Sequence, residues 1–458
     1  MRENRQLTKA KSAKNDEFYT QYADIQKEVN AYLDFNPDTF RGKTVLLPCD
    51  DPEWSKFTRF FAENFERLGL KKLISTSYAA ASKKVFNAET QSRRARSSSA
   101  PQWYQPSLFE QQSPQFDPDK TAVRGKIFVL DHDTNANGRI DLDDLEWKYL
   151  DGDGDFRSEE VCKLRDEADV IVTNPPFSLF REFLAWILEE CKVESVKCKV
   201  VEATGESCLS RPNEVGSRVP RDRGVDCLAA KNAKQFLIIG NMNAITYKEV
   251  FPLIKANKAW LGATGFVTDM VFGVPKGTVV APADKAKAER LGYVGDYTRL
   301  GNSCWFTNME HGRRHRPLQL MTMADNIRYS RHREIKEQGY LHYDNYDAIE
   351  VPFTDAIPSD YDDVMGVPIS FLDKYCPEQF EIVGVAKAGA GDPALKTKIY
   401  PEQIQVARDG RETTVTKLND GPALKVSKPP EGELHYRIGA EIFVQAYARI
   451  LIRARRER

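Results

Sequence analysis

The tetrapeptide Asn174-Pro175-Pro176-Phe177 places a side-chain amide, two prolines and an aromatic ring at consecutive positions. The side-chain carbonyl of Asn174 and the main-chain carbonyl of Pro175 can both accept hydrogen bonds from the exocyclic amine of a nucleobase. Such acceptors favour the electron distribution of an amine that attacks an electrophile. Pro175 and Pro176 stiffen the turn, and Phe177 offers a face on which a flipped-out base can stack. These residues indicate chemistry on a base amine, and the alternative is a strand that ends in a Pro-Pro turn.

The elements around this tetrapeptide favour the chemical interpretation. The apolar run 170–172 predicts a buried parallel strand that ends at Thr173 or Asn174, because proline cannot extend a β-ladder. After Phe177 the apolar residues recur at helical spacing: Phe180, Phe183, Leu184, Ile187 and Leu188. The tetrapeptide is therefore expected at the carboxyl end of a strand, where open α/β sheets bind ligands.

Composition limits the class of protein. The chain has 458 residues, of which 41% are hydrophobic and 10% aromatic, enough for two or three packed domains. It has no run of eighteen apolar residues, and residues 1–20 lack the apolar segment of a signal peptide, so we expect a cytoplasmic protein without a membrane partner. The net charge of −1 means that any DNA-binding surface must come from local basic clusters. The eight cysteines form no Cys-x-x-Cys pair, which predicts reduced thiols and no metal site.

Two further stretches suit a small cofactor. Phe18 and Tyr19 stand beside Thr20 just before a predicted helix, and can pack over a cofactor or act as a helix cap with two core aromatics. Cys49, Asp50 and Asp51 follow a predicted strand that ends at Pro48, and their carboxylates suit ammonium or hydroxyl groups or cap the next helix. No Gly-x-Gly-x-x-Gly follows this strand, which argues against a dinucleotide enzyme.

Two Asp-rich loops come next. The stretch 133–144 has oxygen-bearing residues at calcium-loop positions 1, 3, 5, 9 and 12, and Gly at position 6. A strand precedes it instead of a helix, however, so we predict a tight turn built on Asp and Asn side chains. In the second loop, 151–156, Asp155 can accept from an adenine amino group and Phe156 can pack on the ring.

Five predicted strands, at 44–48, 72–76, 126–130, 169–173 and 235–240, indicate an α/β fold with a doubly wound, mostly parallel sheet. The C-terminal part has a mixed pattern and three basic clusters, at 313–316, 331–333 and 453–458. Tyrosines are interleaved with them (Tyr329, Tyr340, Tyr343 and Tyr346), a combination typical of surfaces that bind phosphates beside bases. Each cluster alone is more typical of a solvated face.

Together these motifs resemble the EcoRI-type adenine-specific DNA methyltransferases. The stretches that carry the resemblance lie in the same order along most of the chain: 14–20, 49–52, 152–158, 174–182, 240–249, 305–308, 343–350, 366–372 and 447–452. The departures are the 82–118 segment, the 131–144 loop and the 191–233 insertion. The first cofactor turn also lacks the Phe-x-Gly-x-Gly common among methyltransferases.

The resemblance implies a Rossmann-like domain over residues 1–310 that carries these three insertions, and a mixed α+β target-recognition region over 311–458. It implies direct transfer of a methyl group from S-adenosyl-L-methionine to N6 of a flipped-out adenine in double-stranded DNA, with a restriction endonuclease as companion. Asn174, Pro175, Pro176 and Phe177 would form the catalytic turn. The residues that would line the cofactor site are Phe18, Tyr19, Thr20, Cys49, Asp50, Asp51, Asp155 and Phe156.

Other functions remain compatible with the same residues. An Asn-Pro-Pro-aromatic turn also suits an RNA adenine, cytosine N4 or protein glutamine methyltransferase. A DNA-binding protein that has lost activity on the same fold is an alternative from a different class, although the intact Asn174 turn argues against it.

Overall fold

A computed structural model describes residues 18–50, 55–79, 113–188, 234–266, 270–274, 278 and 280–455. The predicted insertion 191–233, most of the 82–118 segment, residues 14–17 and the Asp51-Pro52 pair lie outside the described residues. No described helix is both long enough and apolar enough to span a bilayer.

The described residues form α-helices and strands that we number in chain order. The helices are α1 (Tyr22–Phe35), α2 (Lys56–Glu63), α3 (Phe65–Leu68), α4 (Pro118–Val123), α5 (Glu159–Glu167), α6 (Phe180–Leu188), α7 (Phe251–Lys255), α8 (Pro282–Arg290), α9 (Met323–Tyr329) and α10 (Arg333–Gln338). The first ten strands are β1 (Tyr19–Thr20), β2 (Thr44–Leu47), β3 (Lys72–Ser77), β4 (Lys126–Leu130), β5 (Glu146–Tyr149), β6 (Val170–Thr173), β7 (Gln235–Asn241), β8 (Trp260–Leu261), β9 (Val271–Gly273) and β10 (Tyr297–Arg299). The other ten are β11 (Ser303–Thr307), β12 (Ile349–Glu350), β13 (Met365–Pro368), β14 (Phe380–Ala386), β15 (Ile404–Val406), β16 (Glu412–Thr414), β17 (Ala423–Val426), β18 (His435–Ile438), β19 (Glu441–Gln445) and β20 (Arg449–Ala454).

The largest sheet has eight strands in the order β5-β4-β3-β2-β6-β7-β11-β8. Its centre, β3-β2-β6-β7, is parallel, and the strands on either side of that centre are antiparallel to their neighbours. The fold is therefore mixed α/β, and two of our expectations are wrong in detail. The sheet is mixed rather than mostly parallel, and the strand 126–130 runs antiparallel to β3. A strand buried on both faces has the same apolar sequence in either direction, so the sequence did not reveal its orientation.

Both faces of the sheet are covered. Along each central strand the side chains alternate between two apolar cores; Leu46 and Ile171 enter one, and Val45 and Val170 the other. The core that contains Leu46 is closed by α5, α6 and α7, and the opposite core by α1, α2 and α3. The predicted helix 56–68 is interrupted at Asn64, whose side chain donates to the Phe60 carbonyl, so α2 and α3 are separate.

Three smaller sheets complete the fold. Strands β1, β9 and β10 form an antiparallel three-stranded sheet with β9 in the middle. The C-terminal part contains a four-stranded sheet, β12-β13-β20-β14, and a five-stranded sheet, β16-β15-β18-β19-β17. Met365 and Ile452 of the four-stranded sheet join the same apolar core as Leu46, so the C-terminal part packs directly on the large sheet.

Candidate active site

Asn174 lies immediately after β6, at the carboxyl edge of the parallel centre. Its Nδ2 donates a hydrogen bond of 2.6 Å to the main-chain carbonyl of Phe18. A carbonyl oxygen can only accept, so this contact fixes which end of the amide faces Phe18. The acceptor atom Oδ1 is turned the other way, and no described residue donates to it.

The two prolines and Phe177 continue this turn into α6. Both proline peptides are trans, Pro175 is buried, and the carbonyl of Pro176 accepts from the amide of Leu179. The ring of Phe177 stacks on Phe18 with 5.5 Å between centroids and 29° between planes. Phe18 therefore holds the turn in two ways: its main-chain carbonyl binds the Asn174 side chain, and its ring stacks on Phe177.

Phe18 is positioned by the small N-terminal sheet. Tyr19 and Thr20 of β1 pair with Gly273 and Phe272 of β9, and the Phe272 ring meets Phe18 edge-on at 6.0 Å. The sequence identified Phe18 as a candidate, but it did not reveal that residues some 250 positions later would support it. Phe272 was not predicted as part of the site, and its apolar surroundings carry no signal that distinguishes it from a core residue.

The turn after β2 is the second element of this edge. Cys49 has a φ of 64°, a left-handed conformation that is uncommon for residues other than glycine, and its amide donates to Thr76 Oγ1. The Asp50 carboxylate is buried, where it accepts from Ser55 (2.8 Å) and from Thr173 at the end of β6 (2.7 Å). Asp50 therefore ties the carboxyl ends of β2 and β6 together.

The 151–156 loop reaches the same edge beside β3. Gly154 has a φ of 85°, and a Cβ there would collide with the carbonyl oxygen of Ser77. This close approach brings Asp155 next to Tyr78, which the sequence analysis missed although it directly follows β3. Burial and the nearby Cys49 and Asp155 raise the pKa of Tyr78 above its ordinary value.

Asp155 and Phe156 have different environments in the structure. Burial acts to raise the pKa of Asp155, but hydrogen bonds and the positive charge of Arg157 outweigh it and lower that pKa below its ordinary value. Phe156 is only 1% exposed, and its ring packs on Phe183 and Trp186 in the core. The structure therefore places the Asp155 side chain at the edge of the sheet and the Phe156 ring beneath it.

The predicted 133–144 turn lies between β4 and β5. Asp144 Oδ1 accepts from the amides of Thr134 and Asn135, and Oδ2 from the amide of Asp141. Asp133 accepts from the amides of Asn137 and Gly138. These bonds confirm a tight turn built on Asp and Asn side chains. Over the described ranges, no set of three or more His, Cys, Asp or Glu side chains has a geometry that could hold a metal ion.

The predicted basic clusters differ in exposure. Arg313 pairs with Asp373, Arg314 is buried over the Trp260 ring, and His315 lies between Glu310 and Glu378, so this first cluster joins parts of the fold. In the second cluster the side chains of Arg331 and Arg333 are 80% and 85% exposed. Tyr329 beside it is also exposed, whereas Tyr343 and Tyr346 are buried.

Comparisons with known proteins identify the family of the chain. The profile of the family described as "Adenine-specific methyltransferase EcoRI" matches residues 6–196 and 224–455. The chain is 35% identical to the type II methyltransferase M.EcoRI of Escherichia coli, over 84% of this chain and 90% of that protein. It is 29% identical to M.MpnI of Mycoplasma pneumoniae and 30% identical to M.MgeORF184P of Mycoplasma genitalium, both named type II methyltransferases, in each case over 86% of this chain and 90% of the relative. No solved structure matches the chain. The chain therefore belongs to the EcoRI family of adenine-specific methyltransferases.

Proposed function

We propose that this protein transfers a methyl group from S-adenosylmethionine to N6 of an adenine that is flipped out of double-stranded DNA. The observation that carries the proposal is the orientation of Asn174. Its amide nitrogen is bound to the Phe18 carbonyl, so Oδ1 is left as an acceptor at the carboxyl edge of the sheet.

The chain's own residues would activate and hold the amine. Asn174 Oδ1 and the Pro175 carbonyl would accept the two N–H bonds of the adenine amine, and neither accepts a hydrogen bond from a described residue. Fixed acceptors aimed at the amine stabilise the charge that develops as its lone pair attacks. Phe177, held by Phe18 on one side, would stack on the base.

The residues at the edge fit a polar cofactor. The hydroxyl of Thr20 is buried and has no hydrogen-bond partner within the described residues, and the hydroxyl of Tyr78 is buried beside Asp155. Leaving a buried hydroxyl unpaired costs about 1–3 kcal/mol, which a polar ligand would relieve. S-adenosylmethionine supplies, when bound, an electrophilic methyl group on a sulfonium.

We propose that Phe18, Tyr19, Thr20, Cys49, Asp50, Asp51 and Asp155 line this cofactor site, with Phe156 supporting it from the core. Asp50 would act mainly by holding β2 and β6 in place, since Ser55 and Thr173 already occupy its two oxygens.

The wider assignments follow the same proposal. Residues 1–310 would form a Rossmann-like catalytic domain around the parallel centre of the large sheet, and residues 311–458 a target-recognition region. The enzyme would act in the cytoplasm as the partner of a restriction endonuclease that cuts the same DNA sequence.

The test is methyl transfer by the full-length protein. Labelled S-adenosylmethionine is incubated separately with unmethylated duplex genomic DNA, with RNA and with protein, and each product is digested and separated. We expect the label in N6-methyladenine from DNA. Label in N4-methylcytosine, in RNA adenine or in glutamine would assign a different substrate, and no label would indicate a protein without this activity.

A further inference from the structure

Lys387 brings a positive charge from the C-terminal part to the catalytic edge. It directly follows β14, and its Nζ lies 2.5 Å from Oγ1 of Thr246. Thr246 ends the short 3₁₀-helix Met242–Thr246, which begins where β7 ends. The lysine therefore spans from the C-terminal sheet to the carboxyl end of the strand next to β6.

A series of contacts links this position to α6, the helix that follows the Asn174 turn. β7 pairs with β6 in parallel, and at its carboxyl end Gly240 packs so tightly on Phe180 that a Cβ there would collide with the ring. The guanidinium of Arg181, four residues after Phe177, lies 5.6 Å from the ring centroid of Tyr247. Because Tyr247 follows Thr246, these contacts connect the residue that Lys387 binds to the start of α6.

The charge of Lys387 has no counter-ion among the residues that the structure describes. No carboxylate of a described residue lies within 4 Å of its Nζ, whereas Lys396, nine residues later, pairs with Asp420 at 2.5 Å. Lys387 is half-buried, and burial lowers its pKa. A cation that is partly removed from water without a partner is costly, and an anionic ligand offsets that cost.

The surface beside Lys387 is open to a large ligand. Ala388 and Gly389 are exposed, and the space around Gly389 contains no atom within 4 Å of where a Cβ would lie. Small residues let the backbone of a polymer approach closely. The site thus combines the Lys387 ammonium with an exposed stretch of backbone, in which the Gly389 amide donates to the Asp420 carboxylate over 3.0 Å.

We propose that Lys387 binds a backbone phosphate of the DNA strand next to the flipped adenine and so positions the target nucleotide over Asn174. This inference rests on the proposed function, since it takes duplex DNA as the substrate. A phosphate contact of this kind carries no base specificity and sets the register of the protein on the duplex.

The experiment measures binding of a labelled duplex to the full-length protein at increasing salt concentration. Replacing Lys387 by glutamine should reduce the slope of log affinity against log salt by about 0.9, the value for one lost phosphate contact. K387R should restore the slope, because arginine keeps the charge. With duplex genomic DNA as methyl acceptor, K387Q should raise the KM for DNA by a larger factor than it lowers kcat.

K72Q is the matched control, since it removes the same charge from a partly buried lysine at the start of β3 that Glu167 pairs with over 2.8 Å. Its salt slope should equal that of the unmodified protein. The proposal is overturned if K387Q keeps the original slope, if K72Q loses as much, or if K387Q weakens binding of S-adenosylmethionine without DNA. Binding is measured separately from turnover, so a protein that binds DNA through Lys387 but does not methylate it would refute only the proposed function.

Discussion

The Asn174 turn and the 133–144 loop both place Asp or Asn side chains just after a strand of the same sheet, yet the structure uses their oxygens differently. In the loop, Asp133 and Asp144 accept from main-chain amides of the loop itself. In the turn, Asn174 donates to Phe18 and receives no hydrogen bond from a described residue. The acceptors of the loop shape the backbone, and the acceptor of the turn is left for a ligand.

The difference comes from proline. Pro175 and Pro176 have no N–H, so the turn contains fewer donors that could satisfy the Asn174 carbonyl locally. The 133–144 loop contains no proline, so its main-chain amides can donate to its Asp and Asn side chains. Local hydrogen bonds of this kind are usual for Asp and Asn. A polar residue after a strand is therefore a stronger functional signal when the following residues cannot donate to it.

The largest expected effect is that of N174A. Removing the acceptor should lower the turnover of methyl transfer by about a hundredfold or more, the usual scale for losing one transition-state hydrogen bond. Turnover is measured with labelled cofactor at saturating DNA. N137A in the loop is the control, and it should methylate at the rate of the unmodified protein. If N174A also does so, the turn does not act on the amine.

N174D sharpens the comparison because it keeps an acceptor oxygen and replaces the donor with a second, negatively charged oxygen. The ionised carboxylate would face the Phe18 carbonyl at the position where the amide now donates over 2.6 Å. Two acceptors in contact cost about 1–3 kcal/mol, so turnover should fall roughly 5- to 150-fold. N174D activity equal to that of the unmodified protein would show that the Phe18 carbonyl does not orient the side chain.

F177A tests the ring of the turn. Loss of stacking should weaken capture of the flipped base by about 1–3 kcal/mol, which a fluorescent adenine analogue at the target position would report. F18A is the matched variant: it removes the ring that stacks on Phe177 but keeps the main-chain carbonyl that Asn174 binds. Its effect should be smaller than that of F177A, and the reverse order would assign the base to Phe18.

Much of the parallel centre was predictable, because its strands are continuous apolar runs bounded by clear turns. β2, β3, β6 and β7 lie where the sequence placed them. The orientation of β4 was not predictable. Strand direction depends on the path of the chain between two strands, and a strand buried on both faces has no sequence pattern that shows its direction. The hydrogen bond between Lys387 and Thr246 was equally unpredictable, because the two residues are 141 positions apart in the sequence.

Parts of the candidate site followed from local rules. Asn174 after a strand and before two prolines could be placed at the sheet edge from proline chemistry alone. Tyr78 could not be singled out, because its role depends on Gly154 packing against the end of β3. The burial of Phe156 was also hidden, since an aromatic beside Asp155 fits a ligand or a core equally well until Phe183 and Trp186 are in place.

The smallest expected effect is that of D144N in the 133–144 loop, which replaces Asp by Asn where N174D replaces Asn by Asp. Burial acts to raise the pKa of Asp144, but hydrogen bonds from Asp141, Thr134 and Asn135 outweigh it and lower that pKa below the ordinary 3.8. The ionised form therefore stabilises the fold above pH 3.8, and this contribution is lost as the pH falls through the lowered pKa. D144N keeps one acceptor oxygen and loses the other with its charge, so we expect a melting temperature about 1 °C lower at neutral pH and unchanged turnover.

That deficit, measured by urea denaturation, should shrink as the pH falls from 3.8 through the lowered pKa of Asp144, because the carboxylate of the unmodified protein then becomes neutral as well. N174D and D144N thus make reciprocal changes of charge at two polar turns of one sheet. N174D should impair turnover, whereas D144N should lower stability without changing turnover. Loss of turnover in a stably folded D144N would mean that the loop serves the reaction, and the distinction between the two regions would not hold.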